Sequence, residues 1–224
     1  MSNSTLATIK MISPNKNSPR NHAIDTITIH HTACCVTAKR IGEIFAPVSR
    51  QASCNYGIGN DGDIALIVDE KDRSWCSSSP VNDHRAITIE VSNDAHGVAT
   101  QTWTVSDKAM RSLIALCADI CSRNGIKKLV WSSNKNNRVN HANGCNMTLH
   151  KDFAATGCPG PYLESKMQYI ADEVNKVLNG NKPATGTIYR VQIGAFSKKE
   201  NAEAQLKKAK AAGFTDAFIT TVKK

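Results

Sequence analysis

His30 and, far down the chain, His150 and Cys158 are of the types that ligate transition metals or carry nucleophilic catalysis. His30 lies in Asp25–Ala33, DTITIHHTA, a run dominated by β-branched residues that favours a strand. Side chains alternate across a strand, so Ile27, Ile29, His31 and Ala33 share an apolar face and Thr26, Thr28, His30 and Thr32 a polar one. His30 is therefore the ligand candidate of the pair, and His31 a core or supporting histidine. His150 and Cys158 are joined by a short loop in HKDFAATGCPGP. Two imidazoles and a thiolate suit a tetrahedral zinc site whose fourth position stays open. Cys158 also precedes a helix N-terminus, whose positive end favours a thiolate, and this suits a nucleophilic cysteine as well as a zinc ligand.

The elements that must position these groups are legible in part. Thr37 to Phe45 reads as a short helix capped by Thr37, with Ala38, Ile41, Ile44 and Phe45 inward. Asn55–Asn60 and Asp63–Val68 read as a hairpin turning at Asp61-Gly62. In Ala86–Asn93, Ile87, Ile89 and Val91 form an apolar face, and Thr88, Glu90 and Ser92 a polar one, so Glu90 projects as His30 does. Met110, Leu113, Ile114, Cys117, Ile120 and Cys121 form a helical stripe that Gly125 stops. Leu129-Val130-Trp131 reads as the last strand. The polar run Ser132–Asn146 has turn residues and nothing to bury, and either walls a cleft or is solvated. Leu163, Met167, Ile170, Val174, Val177 and Leu178 define a helix from about Pro161 to Asn179.

Composition fits a soluble enzyme. The 224 residues are 41% apolar, enough for one packed domain and a small module, and no run of about 18 apolar residues could span a bilayer. Met1 to Pro19 lacks the apolar core of a secretory signal. The eight cysteines show no zinc-finger spacing and are expected to be free thiols, with Cys117 and Cys121 in a helix core.

ITIHHTA, CNYGIGNDGDI, ITIEVSN and LHKDFAATGCPGPYL, in this order over roughly residues 20 to 178, resemble the zinc N-acetylmuramoyl-L-alanine amidases of the amidase-2 type, a group that includes peptidoglycan recognition proteins and phage endolysins. The resemblance implies an α/β domain with a central mixed β-sheet flanked by helices. It implies Zn2+ held by His30, His150 and Cys158, and Glu90 as general base for cleavage of the amide between the lactyl group of N-acetylmuramic acid and L-alanine. Thr156, two before Cys158 where relatives have lysine or threonine, would hydrogen-bond the oxyanion. Asn55, Tyr56 and His141 would face the substrate. Cys54 stands where several relatives carry a catalytic tyrosine, so that role has no bearer here, and Tyr56 has the wrong offset for it and reads as a packing or groove residue.

Gly180–Thr187 is a linker by composition between a catalytic domain over 1–179 and a small βαβ half-module over 188–224. Tyr189–Phe196 alternates as a strand, a helix runs from about Lys199 to Ala212, and Phe214–Val222 reads as another strand. YRVQIGAFSKKENAEAQLKKAKAAGF resembles half of a SPOR module, which binds peptide-free glycan strands; Gln192 and Phe196 match its glycan-facing region. An unpaired sheet edge admits a homodimer. From Lys182 onward nine Lys/Arg stand against three Asp/Glu, a surplus of six out of the net +9, which anionic wall polymers would attract. No RNA-binding motif is present. The expected partner is peptidoglycan, without nucleic acid or membrane insertion, and the expected role is an endolysin made in the host cytoplasm that lyses the wall. The rival readings are a recognition protein without catalysis and a cysteine peptidase using Cys158 and His150.

Overall fold

The alternating runs at 26–31 and 86–91 become adjacent parallel strands at the centre of a mixed sheet. The computed structural model describes residues 2–180, 193–214 and 217–221, in two units, Met1–Pro183 and Ala184–Lys224. In chain order the strands are β1 (Ile9–Lys10), β2 (Lys16–Asn17), β3 (Thr26–His31), β4 (Tyr56–Ile58), β5 (Ile64–Leu66), β6 (Arg73–Ser74), β7 (Ala86–Val91) and β8 (Met147–Leu149). The helices are α1 (Ala38–Phe45), α2 (Pro80–Arg85), α3 (Ala95–Thr100), α4 (Asp107–Arg123), α5 (Lys135–Val139), α6 (Gly160–Leu178) and, in the second unit, α7 (Lys199–Ala211). Six strands pair in the order β1-β5-β4-β7-β3-β8, all parallel except the β4–β5 hairpin, and β2 pairs antiparallel with β6.

Burial explains the pairing. Ile27, Ile29, Ile87, Ile89 and Val91 pack into one core with Leu113, Leu116 and Ile120 of α4 and Leu163, Met167, Ile170 and Val174 of α6. Truncating one of these fully buried side chains to alanine costs about 2–5 kcal/mol. The opposite face of the sheet is covered too. There α1 joins Ala38, Ile41 and Phe45 to Cys54, Ala65 and Ile67, and Thr37 caps the helix by accepting from the Arg40 N–H. Between these patches the polar strand residues are fully buried and bonded to one another: Thr28 Oγ1 lies 2.7 Å from Thr148 Oγ1 and accepts from Asn82 Nδ2 at 3.0 Å, and Ser74 Oγ lies 2.7 Å from Thr88 Oγ1. A buried threonine ladder of this kind is stable because its hydroxyls are paired.

Four expectations need correction. Leu129–Trp131 is not a strand: the Asn175 side chain takes both the N–H and the C=O of Leu129, Asn146 Oδ1 takes the Val130 N–H, and the edge strand is β8 instead. The run Ser132–Asn146 does bury something, for α5 turns Arg138 inward to 4% exposure. The hairpin turns over Gly59–Gly62, where the Gly62 N–H reaches Gly59 O and Gly62 alone takes φ +89°, so Asp61-Gly62 is not a two-residue turn. In the second unit the helix forms as α7, but residues 193–196, Phe214 and 217–221 contain no strand. The rest of the two expected strands, and Gln192, lie outside the described residues. None of the described helices is long and apolar enough to cross a membrane.

Candidate active site

The register of β3 and β7 places His30 directly beside Glu90 near the C-terminal ends of both strands. β8 pairs with β3 up to Leu149, so His150, the next residue, arrives on the other side of His30, with ring centroids 5.0 Å apart. The chain then loops through 151–157 and returns with Cys158, whose C=O accepts from the Lys151 N–H at 3.3 Å, just before α6. Cys158 Sγ lies 3.5 Å from His30 Nδ1. One ligand atom each from His30, His150 and Cys158 falls within 4.8 Å of the others.

This set fits zinc. Bond lengths of about 2.0–2.1 Å to nitrogen and 2.3 Å to sulfur, at a tetrahedral angle, put two ligand atoms about 3.6 Å apart. The observed nitrogen to sulfur separation is 3.5 Å. His30 is fully buried, and its Nε2 has no hydrogen-bond partner among the described residues. Burial, reinforced by His150 and His31, holds His30 well below its ordinary pKa, and burial lowers His150 against the pull of Asp83. Both imidazoles are thus neutral, the form that ligates.

Cys158 behaves differently from the expectation set by its helix N-terminus. Burial, with the nearby Glu90, pushes its thiol far up, against one backbone hydrogen bond from His31. A metal-free site therefore holds a thiol beside neutral imidazoles, and not the thiolate and imidazolium pair a cysteine peptidase needs. A cation would reverse this by taking the place of the proton.

Burial also raises Glu90, to about 8, against the pull of Arg50, and its Oε2 is buried without a partner among the described residues. A carboxylate that titrates near neutrality can take a proton and give it back. Thr156 is exposed at the rim, and its hydroxyl accepts from the Cys158 N–H at 3.2 Å. His31 packs its ring edge-on to Trp103 at 5.4 Å, consistent with a supporting place.

The substrate-facing residues are placed elsewhere. Tyr56 is fully buried: its hydroxyl donates to Glu70 Oε1 at 2.6 Å and accepts from the Ser4 N–H at 2.8 Å. Asn55 is fully buried as well, accepting from the Thr88 N–H and donating to Val68 O. Neither can touch a ligand from solvent. His141 lines a hollow with Asp25 and Arg85. Asp25 precedes β3 and His30 lies five residues on, roughly 16 Å along the strand, so the hollow that His141 shares with Asp25 is at the other end of β3 from the cluster. Phe196 is 46% exposed in the second unit.

Two residues near the cluster escaped sequence reasoning, and both lie in the loop Trp75–Ser79. Ser78, at φ +63°, brings its hydroxyl to 3.3 Å from His150 Nε2. Cys76 places its thiol within 4.8 Å of ligand atoms of His30 and Glu90. Their only signal in the sequence was a run of small polar residues ahead of Pro80.

The N-acetylmuramoyl-L-alanine amidase profile, amidase-2, matches residues 20–161, and the SPOR domain profile matches 181–224. The fold is similar to that of the Staphylococcus aureus hydrolase AmiA, solved in complex with its ligand, at 17% identity and TM-score 0.56 over 77% of this chain and 85% of that one. It is also similar to a mutant endolysin from Bacillus subtilis at 16% identity and TM-score 0.55, over 74% of this chain and 97% of that one. PlyL is matched at 14% identity and TM-score 0.54, over 74% and 95% of the two chains. At such identities the likeness is one of fold. No curated protein matches the chain.

Proposed function

Because the chain belongs to the N-acetylmuramoyl-L-alanine amidase family of the amidase-2 type, we propose that it hydrolyses the amide between the lactyl group of N-acetylmuramic acid and L-alanine in peptidoglycan, with zinc held by His30, His150 and Cys158. One observation carries this reading: two neutral imidazoles and a buried thiol converge on one point, with a carboxylate next to it in strand register whose Oε2 has no partner among the described residues. A zinc ion held there supplies Lewis acidity, polarising a carbonyl oxygen and acidifying water.

The chain's own groups divide the remaining work. Glu90 takes the proton from the attacking water and returns it to the leaving amine, a task its pKa of about 8 suits. Thr156 accepts the Cys158 N–H, which leaves its own hydroxyl proton available to the oxyanion; being uncharged, its share is modest. Arg138 and Asp152 hold the turn that presents His150.

The second unit, matched by the SPOR profile, serves wall binding in this reading, with the domain split near 179–187. An enzyme that cuts peptidoglycan and carries a wall-binding module suits a lytic role, as in the endolysin of similar fold. The test is mass analysis of digested peptidoglycan with and without chelator. Newly exposed N-terminal L-alanine that disappears on chelation and returns with zinc supports the reading. Cleavage that persists under chelation and stops on thiol alkylation selects the cysteine peptidase.

A further inference from the structure

His30 belongs to two sets of ligand atoms. The first is the zinc candidate with His150 and Cys158. In the second, His30, Cys76 and Glu90 bring a nitrogen, a thiol sulfur and a carboxylate oxygen within 4.8 Å of one another. Imidazole has two nitrogens, and in His30 Nδ1 faces Cys158 while Nε2 is buried and unpaired among the described residues. Glu90 Oε2 is likewise buried and unpaired. A buried ring nitrogen and a buried carboxylate oxygen left without partners in one small space are costly. With zinc on Nδ1 the neutral ring carries its proton on Nε2, so a second ion binds there by releasing that proton and the Cys76 thiol proton to solvent, which leaves His30 as an imidazolate between the two ions.

Cys76 is held firmly in place. Its N–H donates to Asp83 Oδ2 at 3.0 Å, and the Ser77 N–H donates to the same carboxylate. The preceding residue is locked by Ser53, whose Oγ accepts the Trp75 N–H at 3.0 Å and whose N–H donates to Trp75 O at 2.9 Å. A thiol on a fixed backbone is a prearranged ligand. Sulfur, imidazole and one carboxylate select soft or borderline cations such as zinc and cadmium over magnesium or calcium.

We propose that Cys76, Glu90 and His30 form a second position for a soft divalent cation, and that an ion there withdraws the Glu90 carboxylate from proton transfer and so shuts the enzyme down. The inhibitory part rests on the reading of Glu90 as the base; the binding part rests on geometry alone. Cys76 thus makes the enzyme sensitive to excess soft metal without serving its reaction.

The test uses the full chain with the exposed or half-exposed thiols Cys34 and Cys35 changed to serine, which removes their competing cadmium chemistry. The protein is loaded with one equivalent of zinc and titrated with cadmium, following thiolate-to-cadmium absorption and hydrolysis of soluble muropeptides in parallel. One further equivalent should bind with a thiolate signature and lower turnover by about 10²-fold, as for loss of a general base. Cys76→Ser should abolish both effects while zinc content and basal turnover stay unchanged. A cadmium signature and inhibition that persist in Cys76→Ser overturn the proposal. Failure of the first zinc equivalent to bind, or hydrolysis that needs no zinc, instead overturns the zinc amidase reading, and the cadmium signature then judges the second position by itself.

Discussion

The Arg138 guanidinium grips the Asp152 carboxylate through two hydrogen bonds, Nη2 to Oδ1 at 2.5 Å and Nε to Oδ2 at 2.8 Å, and the same Oδ2 accepts the Leu149 N–H at 2.9 Å. Both side chains are buried, and the Arg138 guanidinium stacks over Trp131 at 4.8 Å. Through this pair the polar loop is tied to the turn that carries His150.

Arg138→Met should therefore act at a distance from the reaction. It leaves a buried, unpaired carboxylate, which costs about 3 kcal/mol or more, and loosens a ligand's support, which lowers zinc affinity by about 10-fold. Thermal unfolding and competitive zinc titration read the two effects. Adding Asp152→Asn should recover part of the lost stability, since the orphaned charge goes; a double variant less stable than Arg138→Met alone would show that the pair is not the cause.

Cys158→Ser should remove most bound zinc and all hydrolysis, because a hydroxyl is a poor substitute for thiolate. Metal analysis after dialysis checks this. A variant that stays active with stoichiometric zinc would sink the ligand assignment.

Glu90→Gln keeps the shape and removes the proton acceptor. Zinc content should persist while turnover at saturating substrate falls by about 10²-fold or more. Near-native turnover would reduce Glu90 to a polar strand residue.

The same substitution tests the buried carboxyl without any metal. Glu90 titrates at about 8 in the metal-free fold against 4.5 as its ordinary value. Between these values the folded state binds the extra proton, so the contribution to stability is complete below the lower value and is lost as pH rises through the upper one. The metal-free wild type should lose stability relative to metal-free Glu90→Gln from pH 5 to 8.5. Melting curves that run parallel across this window would contradict the burial argument.

Deleting residues 181–224 should weaken sedimentation with purified cell walls and leave cleavage of small soluble muropeptides unchanged, since every proposed ligand and the base lie in the first unit. Equal wall binding by the truncated and intact chains would show that targeting resides elsewhere.

The sequence by itself determined local matters that depend on near neighbours. Period-two alternation gave the faces of β3 and β7, and with them the outward projection of His30 and Glu90. The cap Thr37 and the stop at Gly125 set helix limits, because a cap is a bond between residues three or four apart. The motif strings carried the family and the three ligand candidates. Tertiary structure decided who stands beside whom. Alternation fixes a face but not a neighbour, so the pairing of His30 with Glu90, sixty positions apart in number, came only from the parallel register. It also buried the polar face that alternation alone would leave wet, which took Asn55, bonded to Thr88, out of any cleft and raised Glu90 and Cys158 toward their neutral forms, while Tyr56 went into the apolar core beside Ile89. Leu129 failed as a strand because a side chain on α6, Asn175, satisfied its backbone first. Cys76 and Ser78 entered the site by the same logic: their loop is placed by bonds to Asp83 and Ser53, contacts that no local pattern encodes.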